Sequence, residues 1–268
     1  MHIRAGYKIA FETEYAAPLM LMVSLRPERE ADLVTPQVLH TDPDVPLHWY
    51  HDGFGNVCTR TVIPPGRATF SSEFIIRDSG EPDILSPDAE QHPVADLPDD
   101  VIVYLLASRY CETDLLVETA WKLFGHTPPG WNRVQAVVEY VHKRIAFGYH
   151  NARKTRTAHE AHQDQVGVCR DYAHLAVTFC RCMNIPARYC TGYLGDIGIE
   201  PIPGPMDFSA WFEVYLGGRW HAFDARHNRP RIGRILMAYG RDATDVAIAT
   251  TFGAANLVQF EVTGEEVA

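Results

Sequence analysis

The stretch most able to do chemistry is Gly167-Val168-Cys169-Arg170-Asp171-Tyr172-Ala173-His174-Leu175. A glycine turn there delivers a cysteine to the first turn of an apolar helix. Unpaired backbone N–H groups and the positive end of the helix dipole favour a thiolate at such a place. Arg170 adds positive charge beside it. These are the conditions for a nucleophilic sulfur. Two further segments follow: Asp207-Phe208-Ser209-Ala210-Trp211-Phe212-Glu213-Val214-Tyr215-Leu216, then Gly218-Arg219-Trp220-His221-Ala222-Phe223-Asp224-Ala225-Arg226.

The elements that must position these residues can be read from periodicity. Ala173, Ala176, Val177, Cys180 and Met183 give the cysteine helix an apolar face, and Asn184-Ile185-Pro186 ends it. Arg188 to Leu194 reads as a strand. Phe208–Leu216 and Arg219–Phe223 are strands joined by Gly217-Gly218, a two-residue hairpin signal. That turn sets residue 209 opposite Arg226 and Trp211 opposite Asp224, all on one face. His221 and, if the strand continues, His227 point to the other. His174 lies roughly 140° around the helix from Cys169.

Upstream, the first ninety-odd residues read as strands. Tyr7, Ile9 and Phe11 alternate with other neighbours, and Leu19 to Leu25 is an apolar run suited to a buried strand. Turns are expected at Asp52–Asn56 and at Pro64-Pro65-Gly66, with Ala68 to Arg77 extended. This pattern predicts a β-sandwich-like module. Pro82, Pro87, Pro93 and Pro98 mark residues 78–98 as a linker. Helices are expected over Asp99–Tyr110, Thr113–Phe124 and Trp131–Phe147. A capping box at Thr157-Ala158-His159-Glu160 starts a short one. From about Ala247 to Val262 the tail can add strands. The predicted domains are 1–90, β-rich, and 91–268, carrying the cysteine.

Taken together, the Gly-Val-Cys-Arg-Asp helix start, the Ile-Pro-Ala-Arg junction, the Ala-Trp-x-Glu-Val-Tyr strand and the Trp-x-x-Phe-Asp strand resemble the transglutaminase-like superfamily of cysteine peptidases and acyltransferases. The likeness is nearest to its bacterial branch, with an N-terminal β-domain. It implies an α+β fold whose papain-like core packs the cysteine helix on an antiparallel sheet. It also implies a nucleophile at Cys169, a histidine base just before Ala-Trp, and an orienting aspartate at Asp224. The base position is occupied by Ser209. A serine hydroxyl neither ionises nor accepts a proton near neutral pH, so the expected triad is incomplete.

Two readings stay open on the sequence. One is a thiol hydrolase or acyltransferase that acts through a Cys169 thioester on a peptide, a protein or a small amide or ester, with weakened activity. The other is an inactive relative that binds a peptide or protein in the old cleft. Hairpin register suggests that Arg226 pairs with Asp224 or steadies the Cys169 thiolate. Trp211 is read as core or groove lining. His150, His159 and His162 remain candidates for a substitute base. Ser209 as a nucleophile is disfavoured, and Cys180 with Cys182 reads as packing.

The chain has 268 residues, 46% hydrophobic and 22% charged, with a net charge of −10. That balance excludes wholesale disorder and disfavours nucleic acid and anionic membrane as partners. The six cysteines form no C-x-x-C pair, and no calcium-type acidic loop is present. No metal or cofactor is expected. The first residues carry no apolar leader pattern, so a reducing, cytoplasmic setting is the expectation.

Overall fold

The computed structural model describes residues 1–201 and 204–267. Six strands come first: β1 (His2–Thr13), β2 (Ala17–Leu21), β3 (His40–Asp42), β4 (His48–His51), β5 (Val57–Ile63) and β6 (Gly66–Arg77). Helices α1 (Asp99–Ile102), α2 (Thr113–Phe124) and α3 (Trp131–Arg144) follow, then β7 (Ala146–Phe147), α4 (Ala158–Asp164), β8 (Val166–Gly167) and α5 (Cys169–Cys182). The chain continues through β9 (Ala187–Leu194), β10 (Ser209–Leu216), β11 (Arg219–Phe223), β12 (Arg234–Gly240), β13 (Ala249–Thr251) and β14 (Asn256–Val267).

Three four-stranded antiparallel sheets organise the α+β fold, in the orders β14-β1-β6-β3, β13-β2-β5-β4 and β11-β10-β9-β12. The third sheet contributes to two cores. Phe212, Val214, Leu216 and Phe223 pack with Leu175, Phe179 and Cys180 of α5 and with Val134, Val137 and Val141 of α3. Tyr193, Phe208, Ile235 and Met237 join the core of the β-module, built from Ile3, Ile9, Leu19, Phe70 and Phe74. Cross-strand partners share a face, so the division runs along the strands: Phe212 and Val214, opposite Tyr189 and Ala187, pack on α5, while Tyr193 and its partner Ile235, farther along, reach the β-module.

Three sequence-based expectations need correction. The boundary between 1–90 and 91–268 does not follow the sheets, because β14 pairs along the whole of β1 and β13 pairs with β2. The last residues therefore complete the N-terminal module. Residues 78–98 are no free linker but a strap docked on the core. Ala89 O accepts from Trp131 N at 3.0 Å, Glu90 O from Gly217 N at 2.9 Å, and Gln91 Nε2 donates to Met183 O at 2.9 Å. The helix expected over 99–110 is only α1 plus a 3-10 turn at Val103–Leu105. Its β-branched run is a poor helix former, and Arg181 Nη1 takes the Leu106 carbonyl at 3.0 Å while Tyr110 N is drawn to Asp242 at 2.8 Å. The Thr157–Glu160 capping box forms as expected. Among the described residues no helix is long and apolar enough to cross a membrane.

Candidate active site

Cys169 opens α5, and the turn before it is fixed by one carboxylate. Asp171 Oδ2 accepts from Val168 N at 2.8 Å and from Arg156 Nη1 at 3.3 Å. Valine at the cap position has no side-chain acceptor, so Asp171 alone secures this end. Gly167 is required for it: a Cβ there would lie 2.6 Å from both the Cβ and Oδ2 of Asp171. Burial pushes the Asp171 carboxyl above its ordinary range, although the Val168 N–H and the charges of Arg170 and Arg156 oppose this.

The sulfur faces β10 where that strand loses a partner. The hairpin has the expected register, with Phe212 opposite Phe223 and Leu216 opposite Arg219, but pairing stops at Phe223. Residues 209–211 therefore have an open edge toward α5, and there the Ala210 backbone N–H reaches the Cys169 thiol. The thiol is only partly exposed. Burial pushes its pKa up to about 11, a rise that Arg226 opposes and that Asp207 and Asp224 reinforce. The helix terminus, worth ~0.3–1 kcal/mol in ordinary settings, was expected to favour a resting thiolate. Burial decides instead for the neutral thiol.

After Phe223 the chain does not continue as a strand. Asn228 N donates to Asp224 O at 2.8 Å, and Asn228 has a φ of 49°. This closes a turn that folds His227 back onto Asp224. His227 Nδ1 lies 2.9 Å from Asp224 Oδ2, and His227 N donates to Asp224 Oδ1 at 3.0 Å. The expectation that His227 points away fails because it assumed an extended chain. The turn is braced from α3: His142 Nδ1 lies 3.0 Å from Arg226 O, and Gln135 Nε2 donates to Asn228 Oδ1 at 3.1 Å.

Asp224 is buried, with a second partner in Arg234, whose Nη2 donates to Oδ2 at 3.2 Å. Burial alone would raise this carboxyl, but the His227 hydrogen bonds and the Arg234 charge outweigh it and hold Asp224 well below the usual carboxylate range. Arg234 is also bound through Nε to both oxygens of Asp83, at 2.8 and 2.9 Å. The strap is thereby tied to the site. Trp211 is fully buried beneath this network, with the Arg234 guanidinium 5.1 Å from its ring centre.

Arg226 does not pair with Asp224. Its guanidinium lies 3.9 Å from the Phe147 ring centre and acts on Cys169, Asp207 and Tyr149. Arg170 is turned away from the sulfur: it donates to Arg153 O and lies over Tyr110. Ser209 is buried, and its carbonyl accepts from Thr191 Oγ1 at 3.2 Å. Ser209, Arg226 and His227 line a cavity of about 280 Å³ with Tyr149 and Asp207. Its far wall is residues 262–265 of β14.

The remaining histidines are engaged elsewhere or exposed. His174 is buried and held neutral by desolvation, its Nε2 accepting from Ala243 N at 3.1 Å. His221 Nε2 bonds Leu216 O at 3.1 Å and its ring meets Trp131 edge to face. His162 bonds Tyr140 Oη, His159 lies 3.1 Å from Gln163, and His150 is exposed. Among the described residues no group of three His, Cys, Asp or Glu side chains could hold a metal ion.

Cys169 at the start of α5 thus faces the open edge of β10, and Asp224 directly follows β11. The profile of the transglutaminase-like superfamily matches residues 119–225. Residues 119–225 are thus similar to the transglutaminase-like superfamily. The crystal structure of a "Putative Cysteine Protease" from Cytophaga hutchinsonii superposes with a TM-score of 0.86 at 28% identity, covering 99% of this chain and 90% of that one. The two proteins thus share one fold over nearly their whole length, the β-module included. An uncharacterized protein of Mycobacterium leprae is 35% identical over 83 residues, 30% of this chain and 30% of its own length. At this site, sequence reasoning put His227 on the wrong face and missed Arg234 and Asp83. The Asn228 and Pro230 turn signals directly after Arg226 were the available clue to the chain reversal.

Proposed function

We propose that the protein is a thiol-dependent acyl-transfer enzyme, a peptidase, amidase or acyltransferase, with Cys169 as the nucleophile. The observation that carries the reading is the Cys169 sulfur at the mouth of α5, receiving the Ala210 N–H within reach of the charges of Arg226, Asp207 and Asp224. Attack of Sγ on a carbonyl carbon forms a C–S bond and a tetrahedral oxyanion. Collapse expels the amine or alcohol and leaves a thioester. Water or a second amine then cleaves the C–S bond. The first N–H groups of α5 lack partners within the helix and are available to the oxyanion. The cavity beside Ser209, open between the core and β14, suits an extended peptide or a small amide or ester. The six cysteines are unpaired, and we place the protein in the reducing cytoplasm.

A second reading, a non-catalytic binder of peptide in the same cleft, is favoured by Ser209 and by a thiol pushed up to about 11. The two separate on a panel of peptide p-nitroanilides and p-nitrophenyl esters. Turnover that vanishes in Cys169→Ala supports the enzyme. Tight peptide binding without turnover, unchanged in Cys169→Ala, supports the binder.

A further inference from the structure

We infer that His227, held by Asp224, supplies the imidazole of this site, so that the base comes from the turn after β11 rather than from position 209 on β10. The inference deepens the acyl-transfer reading and rests on it. Three observations support it. First, Asp224 holds His227 through two hydrogen bonds, at 2.9 Å to Nδ1 and 3.0 Å to the backbone N–H. This is the relation an orienting carboxylate has to a catalytic imidazole: it fixes the proton on Nδ1 and leaves Nε2 to accept. Second, Nε2 makes no hydrogen bond among the described residues, and His227 lines the same cavity as Ser209 and Arg226. Third, the turn is preset from outside by His142 and Gln135, so the ring is positioned without substrate.

Charges facing this ring come from several elements. Asp224 and Arg226 share its turn. Arg231 and Arg234 follow it, Asp207 precedes β10, and Glu265 belongs to β14. Arg234 bridges Asp224 and Asp83, and the Asp224 carboxylate orients the ring. The chemistry then closes. His227 Nε2 takes the Sγ proton as sulfur attacks the carbonyl carbon. It gives that proton to the departing nitrogen as the C–N bond breaks. It next takes a proton from the incoming water as the C–S bond of the thioester breaks, and returns it to sulfur. The sum is amide plus water to acid plus amine.

The test uses the full chain and 4-nitrophenyl acetate, with acetylation of Cys169 followed by intact mass and peptide mapping from pH 5 to 9. Wild type, His227→Gln, His227→Ala, Ser209→His and the double variant Ser209→His/His227→Ala are compared, with urea midpoints to confirm folding. The expected result is a roughly hundredfold or greater loss in His227→Gln. The double variant should recover at least tenfold over His227→Ala, because an imidazole at 209 can then take Asp224. Ser209→His alone should gain little, since Asp224 is already occupied. Acetylation of Cys169 in His227→Gln at the wild-type rate would overturn the assignment while leaving the thiol reading intact. Absence of any Cys169 adduct in wild type would overturn both.

Discussion

Replacing Asp224 by asparagine perturbs the site at its most connected atom. The substitution keeps volume and one acceptor oxygen. It removes a negative charge whose side chain is 2% exposed and which faces Arg234 at 3.2 Å and His227 at 2.9 Å. Breaking a buried pair from one side costs about 3–5 kcal/mol because the surviving charge stays buried. Asp83 still holds Arg234 through Nε, so the lower end, about 3 kcal/mol, is expected. The Asp224 carboxyl sits below its ordinary range in the folded protein. Its contribution is therefore fully present above about pH 4 and is lost as pH falls below that value. The stability gap between wild type and variant should shrink in that acid range. Catalysis should change separately. An amide NH₂ facing Nδ1 pushes the ring proton to Nε2 and removes the acceptor, which predicts a loss of about 10²–10⁴ in acylation. Urea titrations at pH 7 and pH 3.5, together with single-turnover acylation, measure both effects. A folded Asp224→Asn variant that acylates within threefold of wild type would refute the reasoning.

Gly167→Ala should destabilise by about 1–3 kcal/mol through overpacking against Asp171, and proteolysis near Val168 should accelerate; an unchanged urea midpoint would contradict this. Iodoacetamide should alkylate Cys169 more slowly than free cysteine at pH 7, with a rate still climbing toward pH 11, because burial raises the thiol to about 11; fast labelling below pH 7 would show a preformed thiolate instead. His174 is held neutral in the fold by burial, so the unfolded chain binds its proton first as pH falls through about 6.5, and stability should drop by up to about 1.4 kcal/mol per pH unit below that point. A flat stability profile from pH 7 to 5 would contradict the burial of that ring.

Much of the site was legible in the sequence because its signals are local. The glycine turn, the apolar helix face and the Gly217-Gly218 hairpin each follow from neighbouring residues, and the hairpin register came out as read. What was not legible depends on where an element stops. Extending β11 past Phe223 by alternation sends His227 to the wrong face. One turn anchored by the Asp224 carboxylate reverses that result. The Asp83–Arg234–Asp224 chain joins residues far apart in sequence and has no periodic signature. Burial of the sulfur is likewise tertiary: the helix terminus can be read locally, but the layers that desolvate Cys169 cannot. The C-terminal return of β14 to β1 escaped for the same reason, since strand partners at opposite ends of the chain leave no mark in spacing.

The most direct measurement is to trap the acyl-enzyme. The full chain is incubated with a peptide p-nitrophenyl ester, quenched in acid and digested, and the adduct is mapped by tandem mass spectrometry. The account predicts one acyl group, labile to hydroxylamine, on the peptide containing Cys169, and none in Cys169→Ala. An adduct on any other residue, or turnover that persists in Cys169→Ala, would contradict it.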